Sequence, residues 1–202
     1  MRPVHISPFL TAVLLALAAC SASAPPVRLH SLMAAEPAPR TAARAALAIA
    51  LEPIRVPAQV DQPQWLVRLP DDSLAVLEQE RWASPLGDEL RQALLEELAA
   101  RYGAVEGRSP AGATVLRVGV ELRRFDSIPG KEARVEATWT ITAGSAPTAL
   151  RCEALLREPA AAGMPALAAA HRRAAVRLAD AVGESLLSLR GAAPACPVLE
   201  PR

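Results

Sequence analysis

Histidine, lysine and aromatic residues are all scarce in this chain of 202 residues: three histidines, a single lysine at Lys131, and aromatics at 3%. The scarcity removes whole classes of chemistry. His5 falls in the N-terminal segment, His30 in an expected edge strand and His171 on an expected helical stripe. No pair of them has the spacing of metal ligands. There is no G-x-S-x-G elbow, no P-loop and no G-x-G-x-x-G. Serines and aspartates occur without a histidine in a suggestive context. Glu96-Glu97 lies on a helical stretch, where such carboxylates form a solvated face. We therefore expect no enzyme, no cofactor and no metal. A surplus of one charge is also lacking, with 22 basic against 21 acidic residues, interspersed. A nucleic-acid partner would need a basic surplus, so none is expected. The longest N-terminal apolar stretch is too short to cross a bilayer as a mature helix.

What is present begins at Cys20. Arg2 and His5 open the chain, Phe9 to Ala16 is apolar, and Leu17-Ala18-Ala19-Cys20 follows. A charged start, an apolar middle and small residues at a cut site make a secretory signal. A cysteine directly after the small residues marks a lipoprotein signal: its thiol is acylated, the chain is cut before it, and the new amine is acylated too. The expected organisation is a signal peptide over 1–19, a lipidated tether over 20–26, one α+β domain over 27–190 and a C-terminal tail over 191–202. Losing Arg2 leaves 21 basic and 21 acidic residues, a neutral mature chain. One acyl chain binds a membrane only marginally, whereas two or three hold it almost permanently. Ser21 stands where an inner-membrane retention signal carries Asp, which favours the outer membrane with the domain facing the periplasm. The six residues from Ser21 to Pro26 reach about 20 Å when extended, so the domain sits close to the membrane.

Periodicity then sets out the domain. Val27 to Met33 reads as a strand, broken by Pro37 and Pro39. Ala45, Leu47, Ile49 and Leu51 alternate with small residues, a strand with helix cover, ending near Pro53 and Pro57. Trp65, Val67 and Leu69 share one face of a strand; Asp71-Asp72 turns the chain. Ser73 to Glu78 returns with Leu74 and Val76 together. Ser84 is the expected N-cap and Pro85 the first turn of a helix carrying Leu86, Leu90, Ala93, Leu94 and Leu98, ended by Gly103. Three alternating strands follow, over Val115 to Arg123, Ala133 to Thr142 and Leu150 to Leu156, each with one polar face. A helix from Met164 to Leu189 closes the domain, its stripe running Leu167, His171, Ala175, Leu178, Val182, Leu186 and Leu189. The fold expected is α+β: a mixed, largely antiparallel sheet against two main helices, a two-layer sandwich.

Two cysteines remain in the mature chain, Cys152 and Cys196. An oxidising compartment permits a bridge between them, and two free thiols are the alternative. Trp65, Trp82 and Trp139 read as core or boundary anchors, with Trp82 placed just before the helix where a partner could dock.

Several ordered segments resemble the PqiC/YmbA lipoproteins, the ABC-type transport auxiliary lipoproteins. They are Leu51-Glu52-Pro53-Ile54-Arg55-Val56-Pro57, Asp61-Gln62-Pro63-Gln64, Arg81-Trp82-Ala83-Ser84-Pro85-Leu86 and Arg91. Arg124-Phe125-Asp126 and Val135-Glu136-Ala137-Thr138-Trp139 continue the set. Two positions depart from it: Leu29-His30 replaces an aromatic pair, and Gln62 stands where Arg is frequent. The resemblance implies a non-catalytic accessory subunit, working with an MCE-domain protein and an ABC permease in lipid transport between two membranes. Oligomeric rings would suit such a docking role. Asp61, Gln62, Gln64, Arg81 and Trp82 are the candidate partner contacts, with simple turn chemistry as the alternative for those segments. Other readings are an outer-membrane assembly lipoprotein that binds a β-barrel or lipopolysaccharide, and a periplasmic lipid carrier with an apolar cavity. A deep pocket with converging polar groups would point back to an enzyme.

Overall fold

The structure is a computed structural model and describes residues 25–34, 36, 47–107, 114–144, 150–191 and 193–198. Cys20, the signal segment 1–19 and Ala45 lie outside the described residues. Among the described residues there are eight strands, one 3-10 turn (58–60) and two α-helices. The strands are β1 (Arg28–His30), β2 (Leu47–Leu51), β3 (Gln64–Arg68), β4 (Leu74–Trp82), β5 (Ala104–Glu106), β6 (Leu116–Ile128), β7 (Glu132–Ala143) and β8 (Leu150–Pro159). The helices are α1 (Leu86–Tyr102) and α2 (Met164–Ser188).

The α+β class holds, with two mixed sheets instead of one. The larger has the order β5-β2-β6-β7-β8 and the smaller β1-β4-β3. In the large sheet β6, β7 and β8 form the antiparallel meander that their alternation foretold, and β2 joins β5 and β6 in parallel. Val118, Val120, Leu122, Val135, Trp139, Ile141 and Leu156 bury one face against the helices. The opposite face carries Arg117, Glu121 and Glu153 in contact with water.

Both helices form for the reasons visible in the sequence. Leu86, Leu90, Leu94 and Leu98 of α1 are buried in one stripe, as are Leu167, His171, Leu178, Val182 and Leu186 of α2. The helices touch where Tyr102 of α1 lies against Gly183 of α2. A Cβ at Gly183 would fall 2.4 Å from the Tyr102 ring, so only glycine leaves room there. Tyr102 Oη also donates to the Asp180 carbonyl at 3.2 Å. Glu97 departs from the solvated face expected of it: it is buried and paired with Arg101 at 2.8 Å.

Two bulges account for most other departures. Between Leu122 and Arg124 the β6 register slips by one residue, after which Phe125, Asp126 and Ser127 are buried and the strand runs to Ile128. In β4, Leu77 faces Trp65 but Arg81 faces Gln64, so Glu78, Gln79 and Glu80 occupy a single step of β3. The slip reverses which residues face inward. Leu74 and Val76 consequently point outward, while Glu80 and Trp82 are buried, and Trp82 belongs to the strand instead of a loop.

Cys152 Sγ and Cys196 Sγ are joined at 2.00 Å, which ties the tail to β8.

Candidate docking groove

Just before β3 and just after β4, two proline-bearing segments run side by side. Asp61, Gln62 and Pro63 form one wall and Ser84 with Pro85 the other, and Arg81 and Trp82 lie between them. The groove they enclose has a volume of about 440 Å³. Four of the five partner-contact residues marked in the sequence therefore meet in one place. Gln64 does not line it; its amide donates to Glu78 at 3.4 Å.

The walls are held from below. Ser84 is not the helix N-cap. Pro85 takes that position and its carbonyl accepts the amides of Asp88 and Glu89, at 2.9 and 3.0 Å. The Ser84 hydroxyl instead donates to Glu89 Oε1 at 2.9 Å. The other carboxylate oxygen of Glu89 accepts Ser31 Oγ and the Leu32 amide, both at 2.8 Å. One buried carboxylate on α1 thus fixes both the groove wall and the segment leaving β1. Gly87, the second residue of the helix, is needed for close approach: a Cβ there would come within 2.8 Å of the Ile54 carbonyl oxygen. That contact holds the α1 start against the chain entering the 53–63 loop.

The floor is an aromatic cluster. Trp82 is only 6% exposed, with its ring 4.1 Å from that of Trp65, so it supports the groove more than it projects from it. Trp65 donates Nε1–H to Ser127 Oγ at 2.7 Å, and Ser127 lies 2.8 Å from His171 Nε2. His171 Nδ1, on the far side of the ring, is buried with no hydrogen-bond partner. His171 stacks on Phe125 at 4.0 Å. Burial pushes its pKa down to about 3, with Asp126 drawing it back only partly. His30 stands edge-on to Trp65 at 4.9 Å, filling the aromatic position at which the sequence departs from the family pattern.

Charge at the site is arranged unevenly. Glu80 is buried, takes Arg28 Nε at 2.8 Å and lies 2.6 Å from His30 Nε2. Burial would raise its pKa, but the hydrogen bonds and charges of Arg28 and His30 outweigh it and hold the carboxyl below its ordinary value. Arg81 has no such arrangement: its Nε is buried without a hydrogen-bond partner, beside the groove. A buried N–H left unpaired is costly, and an acceptor supplied by a bound partner would relieve it. Sequence reading found the groove residues through their Pro-rich setting. It missed Glu80 and Glu89, whose partners lie more than fifty positions away or across a turn. Among the described residues no group of His, Cys, Asp or Glu has the geometry of a metal site.

Fold and groove together define a small α+β domain, with the short strand β1 at the edge of its small sheet and a recess beside the start of α1. Residues 30–183 match the model of the ABC-type transport auxiliary lipoprotein component, and the chain belongs to that family. Among solved structures, a protein from Xanthomonas campestris assigned to the family model DUF330 superposes with a TM-score of 0.63. It shares 18% identity over 81% of this chain and 96% of its own. An uncharacterised protein gives 0.64 at 15% identity, over 79% and 98%. At such identities the likeness is one of fold. No curated protein matches. No helix among the described residues is long and apolar enough to cross a membrane.

Proposed function

We propose that this chain is an outer-membrane lipoprotein, acylated at Cys20 and facing the periplasm. There it docks an MCE-domain protein, and through it an ABC permease, in lipid transport between the two membranes. It contributes no catalytic step. Membership of the transport auxiliary family supports the role. The Leu17-Ala18-Ala19-Cys20 segment and Ser21 support the anchor and its destination. The observation that carries the docking part is the groove itself. Arg81, whose Nε is buried and unpaired, lines a recess walled by Asp61, Gln62 and Pro85, on a floor fixed by Trp65 and Trp82. Such a recess suits an extended partner segment that brings a carbonyl or carboxylate to Arg81. Gln62, in the position where relatives often carry Arg, offers an uncharged contact and points to a partner segment less acidic than theirs.

The test is capture from native membranes with a reversible crosslinker. The intact protein is expected to recover an MCE-type protein, and Arg81→Ala to recover much less while remaining folded. Capture of a β-barrel alone, with no MCE-type protein, would overturn the reading in favour of an assembly lipoprotein. In parallel, Cys20→Ser is expected to release the protein from the membrane fraction.

A further inference from the structure

We infer that the outer face of the small sheet, at its β3–β4 hairpin end, rests on the lipid surface that holds the tether. The inference depends on the acylated Cys20 proposed above and adds the orientation of the domain. β1 runs parallel to β4, with Arg28 opposite Glu80 and His30 opposite Trp82. The chain upstream of Arg28 therefore arrives from the end of β4 that carries Leu74, which is the hairpin end. Pro25 and Pro26 lack amide hydrogens and favour extended backbone, so the approach is a straight stretch and not a longer paired strand.

Chain length sets the distance. Leu74 lies six residues before Glu80, but the bulge packs three of them into one step of β3, so the stretch spans about 14 Å. Cys20 lies eight residues before Arg28, at most about 29 Å of chain. An acylated Cys20 reaches past the hairpin end with about four residues to spare, which keeps the membrane within about 15 Å of this end of the molecule.

The surface found there is apolar. Cross-strand partners share a face. Leu29 pairs with Arg81, Arg81 with Gln64, and two positions along β3 Leu66 pairs with Val76, so these side chains lie on one outer face together with Leu74. Leu29 is 65% exposed, and Leu74 and Val76 are each 44% exposed. Among the described residues, five of the eight large apolar side chains left exposed belong to this strand-and-hairpin region, Val27 and Leu69 being the other two. The turn adds the carboxylates of Asp71 and Asp72. Apolar side chains with an acidic tip suit a zwitterionic surface whose headgroups carry ammonium, such as phosphatidylethanolamine; a strongly anionic leaflet would repel the tip. The acyl chains supply the residence and the patch supplies the orientation.

The test uses the native acylated chain reconstituted into phosphatidylethanolamine–phosphatidylcholine vesicles that contain a lipid with a nitroxide in its upper acyl chain. With Cys20 acylated and Cys152 bridged to Cys196, a Leu74→Cys substitution supplies the free thiol for an environment-sensitive fluorophore; Val76→Cys and Leu155→Cys are prepared likewise. Leu155 is exposed and apolar but lies on β8 of the large sheet. The labels at 74 and 76 are expected to lose most of their emission to the nitroxide, and the label at 155 to keep its own. Equal quenching at all three sites, or none at any, in protein that floats with the vesicles would overturn the inference alone. Protein that fails to float would overturn the acylation reading and the inference with it.

Discussion

The large sheet and the small sheet solve the same problem differently. The large one lays its apolar face under α1 and α2 and turns a polar face to water. The small one buries aromatic rings on its inner face and leaves Leu29, Leu74 and Val76 exposed on its outer face. The first is a self-sufficient scaffold. Among the described residues, the second carries the features on which the proposed role draws: the segment leading into β1, the exposed apolar face and the groove beside an unpaired guanidinium nitrogen. Along β4 these features are ordered, with the hairpin at one end and the groove at the other, about 17 Å apart once the three bulged residues are discounted. An adaptor between a membrane and a partner requires that order.

The comparison can be broken first at the shared floor. Trp65 is fully buried in the small sheet and Trp139 in the large. Either change to Ala is expected to cost about 3–5 kcal/mol in urea unfolding. Only Trp65→Ala should also weaken partner capture, because only Trp65 supports Trp82. Equal loss of capture in both variants at matched stability would show that the groove is no separate unit.

Acid is expected to act next, where α2 meets the aromatic rings of both sheets. His171 is neutral in the fold with its pKa near 3, against 6.5 when unfolded. Above pH 6.5 both states are neutral; as pH falls towards 3 only the unfolded chain gains the proton, so stability declines. The loss is on the order of 4 kcal/mol over that window. Glu80 adds to it in the same direction, since its lowered carboxyl pKa gives stability that is present above its ordinary value of 4.5 and is lost as pH drops further. In His171→Phe the decline between pH 6.5 and 4.5 should flatten, while the steeper part below 4.5 remains. Urea midpoints at pH 7, 5 and 4 read both.

Reduction sharpens the other side of the comparison. The Cys152–Cys196 bridge has a sequence separation of 44 and lies on the large sheet. Its removal is expected to cost about 3–4 kcal/mol, with partner capture unchanged below the new midpoint. Intact mass before and after reductant confirms that the bridge was present.

The smallest expected effect lies on the outer face. Leu74→Ser with Val76→Ser should shift stability by only about 0.5 kcal/mol, because both side chains already face solvent in the free domain. A loss several times larger would mean that the face is packed against part of the protein itself.

The same contrast explains what could be read in the sequence. β7, with Ala133, Val135, Ala137, Trp139 and Ile141 alternating against polar residues, has no extra residue of its own and, Thr138 apart, one buried face, so period two is enough. The stripes of α1 and α2 were equally plain. The small sheet was harder to read because its inward set changes within a strand. Trp65 and Val67 were correctly placed, but three extra residues in β4 turned Leu74 and Val76 outward and Trp82 inward. A bulge of this kind leaves no mark in hydrophobic period. Ser84 misled for a related reason: it is a favoured cap type beside a proline, but the buried carboxylate of Glu89 takes its hydroxyl. Buried charges such as Glu80 and Glu89 are legible only once their distant partners are in place.

The most direct measurement is site-specific photocrosslinking in intact cells, with a photoreactive residue at Gln62 in the groove and, as control, at Leu155 on the large sheet. The adaptor account expects Gln62 to yield a discrete adduct with an MCE-type protein and Leu155 to yield none. An adduct of equal strength from Leu155, or none from Gln62 in cells where the protein is membrane-bound, would contradict it.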